Sequence, residues 1–411
     1  MKTKAVRLYG KQDLRLEEFD LPPVGEGDIL IKVISDSVCM STYKTALQGA
    51  DHLRVPNDVA DNPVIIGHEF CAEIVEVGAR WADTYQVGGK VVIPPVLSYM
   101  GVDTIGYSFP EIGGDATYCL VRDHVIEHGH LIPIGGDAFF SGSLVEPVSC
   151  VVRGFKATFH LDEEGNHITG VKQGGKTAIL AGCGPMGLAA IDVILHGDRT
   201  PALVVVTDVD QSRLDRAEQL FPPAEAEKRG IKLIFANTSD AEVLKELSGG
   251  TGFDDVFVYA PVPVVVELGD AILAFDGCLN FFAGPMDKGF SANFNFYNVH
   301  YAQHHVAGTS GSTVEDMKDV VRLIGEGRID PAVMITHVGG MDAVIHTTLE
   351  LPRIPGGKKL IYPHVTLPLA AIADFETLGR EDERFRELDA MVKAHKGLWC
   401  AEAEQYLLNH F

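Results

Sequence analysis

Residues 176–208, KTAILAGCGPMGLAAIDVILHGDRTPALVVVTD, decide the fold. An apolar run is followed by a glycine-rich turn, a helical pattern and a second apolar run. In the turn, Gly182, Gly184 and Gly187 form G-x-G-x-x-G. The first glycine permits a tight turn, the second lets a pyrophosphate approach the backbone, and the third permits close packing of helix on strand. The stretch therefore predicts a dinucleotide-binding unit with the pyrophosphate at the helix N-terminus. The residues expected to contact the cofactor here are Gly182, Gly184, Pro185, Met186 and Gly187.

An acidic residue stands where ribose recognition needs one. Asp208 ends the second apolar run, 21 residues after Gly187, and its carboxylate can accept hydrogen bonds from the ribose hydroxyls. It would repel a 2′-phosphate and favours NAD, whereas the nearby Arg213 can accept a phosphate and keeps NADP open. Lys358, in PGGKKLIYP, is a second candidate for the pyrophosphate, or a solvated lysine of a glycine-rich turn. The competing interpretation of the whole pattern is a glycine-rich turn and a capping acid after an unrelated strand.

The same alternation of strand and helix extends away from this unit and predicts a doubly wound parallel sheet. Before it, short runs such as ILIKVIS and CAEIVEVG are separated by Gly, Pro and Asp, which is typical of a β-rich, barrel-like domain. After about residue 330 short β-like segments return, and two helical patterns close the chain. We therefore predict a first part of the catalytic domain at 1–157, a Rossmann domain at 158–297, and a return to the catalytic domain with a helical extension at 298–411.

Composition excludes several function classes. The chain has 411 residues and a formal net charge of −23, which argues against nucleic acid or an anionic membrane as main partner. Apolar residues make up 46%, so large cores are expected and disorder is not. There is no apolar stretch of membrane-spanning length and no apolar signal core, so we expect a cytoplasmic protein. Seven widely spaced cysteines fit thiols used singly, one of them as a metal ligand, better than a disulfide framework.

Four side chains are candidate metal ligands. Cys39 lies in VCMST, His68 and Glu69 lie in GHEFCAEIVEVG, and Glu146 lies in LVEPVSC. A thiolate, an imidazole and a carboxylate form the ligand set of a catalytic zinc that keeps one position open. Taken singly, each is explained as well by a core cysteine or by a satisfied polar residue. The hypothesis of a zinc site therefore depends on the combination.

The segment GHEFCAEIVEVG resembles the zinc signature of the medium-chain dehydrogenase/reductase superfamily, the zinc alcohol and sorbitol dehydrogenases. The order of motifs is similar as well: Cys-x-Ser, Gly-His-Glu, a Glu-Pro segment, the nucleotide motif and then G-T-S-G. The resemblance covers essentially the whole chain. It implies a GroES-like catalytic domain interrupted by the Rossmann domain, an oxidoreductase that uses zinc and NAD or NADP, and a homodimer or homotetramer.

Site roles follow from this resemblance residue by residue. It implies Cys39 and His68 as zinc ligands, and Glu69 as a direct ligand or as a residue behind the ligands. Glu146 matches an acid beside the zinc, as ligand or as partner of the zinc-bound water. Ser41 matches the hydroxyl that passes the substrate proton outward.

Two departures from the superfamily pattern matter. Many relatives hold a structural zinc with four closely spaced cysteines, but none occurs here between Gly89 and Cys119, so we predict no structural zinc. Three residues after Ser41, where alcohol dehydrogenases often have a relay histidine, stands Lys44. Either the proton relay differs or this cation binds substrate.

The run CMSTYK and the C-terminal segments YPHVTLPLAAIADFETL and GLWCAEAEQYLL resemble the L-sorbose-1-phosphate reductase branch, which interconverts ketose 1-phosphates and hexitol 6-phosphates. This implies Lys44, supported by Tyr43, as a phosphate contact, unless Lys44 is an ordinary solvated lysine. The branch is associated with NADPH, so the cofactor choice stays open. The alternatives are a free polyol dehydrogenase, a zinc-free quinone or enoyl reductase, and a nucleotide-binding protein without catalysis. The presence of Cys39, Ser41 and His68 argues against the last two.

Overall fold

The structure, a computed structural model, describes all 411 residues in two units, one of which interrupts the other along the chain. The first unit comprises Met1–Pro147, Thr313–Gly325 and Ile335–Phe411, and the second comprises Val148–Ser312 and Glu326–Met334. The units change at 147/148 and 312/313, whereas the sequence pattern placed the changes at 157/158 and 297/298. The helix Val145–Ala157 runs without a break through the observed boundary at 147/148. The last strand of the parallel sheet, His305–Gly308, lies beyond residue 298, so the second unit extends farther than predicted.

The first part of the chain builds the β-rich body of the first unit. In β3 and its partner β5 most side chains are buried, and Ile29, Ile31 and Ile74 lie in one apolar core. The end of β3 pairs with the start of β5, so the segment after β3, with Cys39, lies near the segment before β5, with His68 and Glu69. The elements are β1 (Lys2–Gly10), β2 (Asp13–Asp20), β3 (Ile29–Ser37), α1 (Met40–Gln48), β4 (Val64–Ile65), β5 (Phe70–Val77), β6 (Lys90–Val92), β7 (Tyr118–Val121), α2 (Asp123–Glu127), β8 (Ile132–Pro133) and α3 (Phe140–Ser143).

The second unit contains a six-stranded, entirely parallel sheet in the order β13-β12-β11-β14-β15-β16. This order confirms the predicted doubly wound sheet. Its central strands are buried apolar runs, as a parallel sheet covered on both faces requires. The elements are α4 (Val145–Ala157), β9 (Phe159–Leu161), β10 (His167–Thr169), β11 (Lys176–Leu180), α5 (Pro185–His196), β12 (Leu203–Thr207), α6 (Gln211–Leu220), α7 (Pro223–Glu227), β13 (Lys232–Ala236), α8 (Ala241–Leu247), β14 (Phe253–Val258), α9 (Pro263–Ala271), β15 (Leu273–Phe281), α10 (Phe296–Tyr301) and β16 (His305–Gly308).

The C-terminal part completes the sheet of the first unit. It contains α11 (Val314–Gly325), β17 (Ile335–Gly340), α12 (Val344–Glu350), β18 (Lys358–Tyr362), β19 (Ala370–Ala371), α13 (Phe375–Leu378), α14 (Glu383–Ala394) and α15 (Ala401–His410). Strand β18 is buried throughout and pairs antiparallel with β3, and β17 pairs with β18 on its other side. The late strands therefore bring residue 358 next to the end of β3, where α1 begins.

The C-terminal extension is anchored by buried polar contacts. The carboxylate of Glu404 accepts hydrogen bonds from the backbone N–H groups of Phe139 and Phe140, at 2.5 and 2.8 Å, and from the hydroxyl of Tyr362 at 3.0 Å. The indole N–H of Trp399 donates to the same hydroxyl at 2.7 Å. Burial raises the pKa of Glu404 to about 7. These contacts tie α15 to the start of α3. None of the helices combines the length and the apolar character that crossing a bilayer requires.

Candidate active site

The candidate metal ligands lie at two chain reversals in the first unit. Cys39 precedes α1 in an extended conformation, and its side chain does not cap the helix. His68 and Glu69 follow Gly67, whose φ is +87°, and a Cβ there would come within 2.7 Å of the backbone nitrogen of Asp115. Glycine is therefore required at position 67, because a side chain would be strained and would clash.

The structure brings three of the four predicted ligands together. Cys39, His68 and Glu69 each offer one ligand atom, and these atoms all lie within 4.8 Å of one another. Burial raises the pKa of the Cys39 thiol to about 12, and the Glu69 carboxylate adds to the rise. Burial lowers the pKa of His68 to about 4, so the imidazole is neutral. A neutral imidazole and a thiol that a cation would deprotonate fit a zinc ion.

The imidazole of His68 is held between two hydroxyls of α1. Its Nδ1 lies 3.3 Å from Thr42 Oγ1, and its Nε2 lies 3.2 Å from Ser41 Oγ. Ser41 also donates to the Cys39 sulfur at 2.9 Å, so Nε2 faces the ligand cluster. When Nδ1 carries the proton and donates to the buried Thr42, the lone pair of Nε2 is available to a metal. The structure thus places Ser41 at the ligands, where the resemblance implied a proton-transferring hydroxyl.

Lys358 requires a correction. It was predicted as a pyrophosphate contact or a solvated lysine, but its ammonium is buried and lies 2.7 and 2.5 Å from the two carboxylate oxygens of Glu69. Burial alone would lower the pKa of Lys358, but the charge of Glu69 raises it above its usual value. We therefore assign Lys358 to the metal site. Glu146 is buried in the first turn of α4 and is close enough to raise the pKa of the Cys39 thiol, but it lies outside the 4.8 Å cluster.

Two buried carboxyl groups support the Gly-His-Glu turn from behind. Asp36 Oδ1 accepts a hydrogen bond from the backbone N–H of Glu69 at 3.2 Å, and the Asp36 carboxyl is also hydrogen-bonded to Asp115. Burial raises the pKa of Asp115 to about 8, and burial together with Asp115 raises that of Asp36. A Cβ at Gly114 would lie 2.0 Å from Asp36 Oδ1. The two acids thus form a buried, hydrogen-bonded pair behind the turn, and Asp36 holds the backbone of residue 69 in place.

Aromatic and cationic side chains form one wall of the site. The ring of Tyr107 lies 5.0 Å from that of His68 and 5.6 Å from that of His52, measured between ring centres. The guanidinium carbon of Arg54 lies 5.5 Å from the centre of the Tyr107 ring. Burial lowers the pKa of His52, and Arg54 and Lys44 lower it further, so both cations lie near this ring.

Helix α1 turns the two predicted substrate residues to different sides. Lys44 follows Ser41 by three residues, about one helical turn, and its charge reaches His52. Tyr43 instead packs against the apolar cluster beneath α1 and lines a cavity with Leu349 and Arg353. The structure therefore does not bring Tyr43 to the side of α1 that carries Ser41, since a residue two positions after Ser41 points away from Ser41 on a helix.

The dinucleotide motif in the second unit has the geometry that its glycines require. A Cβ at Gly187 would lie 2.1 Å from the carbonyl oxygen of Gly182, so the third glycine permits the close packing of α5. A Cβ at Gly184 would meet nothing within 4 Å, and no side chain caps the N-terminus of α5, where Pro185 and Met186 begin the helix. Open space and uncapped N–H groups are what a pyrophosphate needs, so this turn fits a dinucleotide.

Asp208 follows β12 and faces the glycine-rich turn. Its Oδ2 accepts from the backbone N–H of Cys183 at 3.2 Å, and its Oδ1 accepts from that of Asp210 at 3.0 Å. The guanidinium of Arg213 is largely exposed and lies 3.6 Å from Asp210. The buried carboxylate of Asp208 therefore stands at the turn, whereas Arg213 faces the neighbouring acid.

Sequence reasoning missed several residues of this site. Thr42 could have been found, because it directly follows Ser41 on a helix that was expected to carry site residues. Asp36 and Asp115 had no signal beyond being acids in apolar surroundings. The sequence held no signal for Arg54 or Tyr107, because their role depends on contacts between segments far apart in the chain.

Comparisons with known proteins match both units of the chain. The family model "Alcohol dehydrogenase GroES-like domain" matches residues 25–132, and "Zinc-binding dehydrogenase" matches residues 185–326. The chain is 46% identical to the L-sorbose 1-phosphate reductase of Klebsiella pneumoniae, with 99% of this chain and 98% of that protein covered. It is 45% identical to the mannitol-1-phosphate 5-dehydrogenase of Aliivibrio fischeri, with 100% and 98% covered. A crystal structure of 2R,3R-butanediol dehydrogenase from Bacillus subtilis matches the fold with a TM-score of 0.70 at 22% identity, covering 88% of this chain and 99% of that chain.

Proposed function

Because the chain belongs to the zinc-dependent medium-chain dehydrogenase/reductase superfamily, in its polyol dehydrogenase type, we propose that it interconverts a ketose phosphate and a hexitol phosphate with NAD(H). That it is an oxidoreductase of the zinc-binding dehydrogenase type follows from the family. The phosphorylated substrate is our proposal. The observation that carries it is a local positive charge in an otherwise acidic protein: beyond the effect of burial, Arg54 and Lys44 both lower the pKa of His52, whose ring stacks on Tyr107 next to His68. The two relatives named above for sugar or hexitol phosphates support it.

In the proposed reaction, a zinc ion held by Cys39 and His68 would polarise the substrate oxygen while the nicotinamide gives or takes a hydride. The other steps belong to the chain. Ser41 Oγ, next to both ligands, relays the proton: in oxidation it accepts the proton of the substrate hydroxyl as it passes its own proton on toward solvent, and in reduction the two transfers run in reverse. Tyr107 is within hydrogen-bonding reach of Ser41, and burial raises its pKa, so it stays neutral and orients the Ser41 hydroxyl.

The acids around the cluster have different proposed roles. Lys358 holds both oxygens of Glu69, and Asp36 holds its backbone, so Glu69 is oriented and its charge is compensated. Glu146 lies outside the 4.8 Å cluster. We propose that Glu69 would help to hold the metal, and that Glu146 would contact the water or the substrate oxygen at the site.

For the cofactor we propose NAD(H). The Asp208 carboxylate is buried at the glycine-rich turn, and bringing a 2′-phosphate close to it would place two anions together in a site with little water. Its two backbone hydrogen bonds fix its position for the ribose hydroxyls.

We also propose a homodimer formed through the parallel sheet. Strand β16 is the sheet edge and pairs only with β15. Large apolar side chains are exposed around it: Val306 on the strand itself and Phe296, Tyr297 and Tyr301 on α10. Such an edge with an apolar surround is where a second copy would add its own edge strand.

One activity panel tests the proposed function. Ketose 1-phosphates, ketose 6-phosphates and the free ketoses and polyols are assayed with NADH or NAD and with NADPH or NADP, before and after removal of zinc with a chelator and after its return. We expect turnover of a phosphorylated substrate at a much higher kcat/KM than of its unphosphorylated form, loss on chelation and recovery with zinc. A preference for free polyols would refute the phosphate proposal, and activity that survives complete zinc removal would refute the metal assignment.

A further inference from the structure

Arg54 lies outside the metal cluster, in the loop between α1 and β4. The backbone of this residue is fixed on both sides. Its N–H donates to Nδ1 of His52 at 3.2 Å, and its carbonyl oxygen accepts from the hydroxyl of Ser108 at 2.6 Å. Its side chain is partly buried, with the guanidinium over the face of Tyr107. The position of the cation is therefore set by the fold.

The guanidinium of Arg54 has no hydrogen-bond acceptor in the structure. Arginines elsewhere in this acidic chain commonly pair with carboxylates: Arg122 contacts Asp28 and Glu111, and Arg80 contacts Asp123. Arg54 instead makes only the contact with the Tyr107 ring. Its N–H donors form a planar fork whose geometry suits two oxygens of one phosphate group. An unpaired, partly buried fork is poorly explained by stability alone.

The guanidinium fork lies close to the candidate metal ligands. The guanidinium carbon lies 5.5 Å from the Tyr107 ring centre, which lies 5.0 Å from the ring centre of His68. Together these two distances keep the guanidinium carbon within about 10.5 Å of the His68 ring centre, so one extended sugar phosphate can reach both groups. His52 stacks on Tyr107, and Lys44 lies near His52. Two cations and an imidazole thus face one region beside the ligands.

We propose that Arg54 is the principal phosphate-binding residue of the substrate site, and that Lys44 and His52 complete the anion subsite. The proposal rests on the proposed function and names a residue that determines specificity within it. Arg54 binds two phosphate oxygens as a fork, while the reacting carbon is held at the metal ligands. Tyr107 connects the two ends, because its ring packs on His68 and supports the guanidinium.

The test compares Arg54→Gln and Arg54→Lys with the control Arg353→Gln. Arg353 is an arginine on the other side of α1 that pairs with Glu350 and is largely exposed. In Arg54→Gln we expect the KM for the phosphorylated substrate to rise about ten- to a hundredfold, the range for a lost charge-assisted pair, with kcat and the KM for the free polyol nearly unchanged. Arg54→Lys keeps the positive charge but not the planar fork of N–H donors, so its KM for the phosphorylated substrate should lie between those of wild type and Arg54→Gln. Arg353→Gln should behave as wild type.

A binding measurement without turnover uses inorganic phosphate as the probe. Phosphate should inhibit the wild-type enzyme competitively against the sugar phosphate and raise its melting temperature, and both effects should weaken in Arg54→Gln. If wild type shows no preference for phosphorylated sugars, the proposed function and this inference both fall. If wild type has the preference and Arg54→Gln keeps it, only the inference falls. An equal loss toward phosphorylated and free substrates, with a lower melting temperature, would show a structural role for Arg54 and would also overturn the inference.

Discussion

Replacing Lys358 by Met tests the electrostatics of the metal site most directly. The ammonium lies 2.7 and 2.5 Å from the oxygens of Glu69, and the two side chains are only 7% and 1% exposed. Methionine keeps most of the apolar stem but leaves the Glu69 carboxylate buried without its partner. Breaking a buried ion pair in this way costs about 3–5 kcal/mol. In a domain of this size that corresponds to a fall in melting temperature of roughly 6–20 °C.

The same variant should also respond differently to zinc. Zinc bound at the ligand cluster would compensate the charge of Glu69, so zinc should raise the melting temperature of Lys358→Met by more than that of wild type. Melting is followed by differential scanning calorimetry on chelator-treated and zinc-loaded protein. Lys359→Met is a matched control, because this neighbouring lysine is also buried but its ammonium donates only to backbone carbonyl oxygens. The reasoning is refuted if metal-free Lys358→Met melts within about 2 °C of wild type, or if zinc stabilises both equally.

Three further predictions concern other parts of the molecule. Cys39→Ser and His68→Ala should lose zinc and at least about a thousandfold in kcat/KM, the scale of a lost metal catalyst, while their circular dichroism stays that of wild type; near-normal activity of the metal-free variants would contradict this. Asp208→Asn should raise the NADPH-to-NADH ratio of kcat/KM by about tenfold or more, because one like charge near the 2′-phosphate is removed; steady-state kinetics with both cofactors checks it, and an unchanged ratio counts against the assignment. Burial raises the pKa of Glu404 from 4.5 to about 7, so the stability gained by burying its neutral form is complete below about pH 4.5 and lost as the pH rises through 7. Glu404→Gln, which stays neutral, should therefore flatten the fall in unfolding free energy between pH 5 and pH 8 by up to about 3 kcal/mol in urea titrations, whereas parallel pH profiles would contradict the buried acid.

The parts of the site that the sequence could predict are those held within one short segment. Gly182, Gly184 and Gly187 act through the backbone of a single turn, and Asp208 follows the next strand of the same unit, so spacing alone located them. Cys39 and the neighbouring pair at 68 and 69 were located because short motifs carried them. In each case the residues that matter to one another are either close in the chain or fixed by the ends of paired strands.

The errors and omissions share one physical cause, which is dependence on contacts across the chain. Lys358 meets Glu69 across 289 positions, and only the pairing of β18 with β3 brings them together. The direction of the Tyr43 side chain could not be predicted, because it depends on the rotation of α1, which is set by what packs beneath the helix. Tyr107 and Arg54 meet through packing between two loops, and no local sequence pattern predicts that contact.

Lys358 and Arg54 show why net charge is a poor guide to the substrate. The chain carries −23, yet exposed charges more than about 10 Å away are largely screened at physiological salt, so an anionic ligand mainly senses the nearest groups. Lys358 contributes little to that local field, because its ammonium is neutralised by Glu69 at hydrogen-bond distance. Arg54 has no carboxylate partner. Its guanidinium lies over the ring of Tyr107, which packs against the candidate ligand His68. In the proposed phosphate site, binding therefore depends on which cation is left without a carboxylate partner. The fold directs Lys358 to the buried carboxylate of Glu69 and Arg54 to the aromatic face of Tyr107.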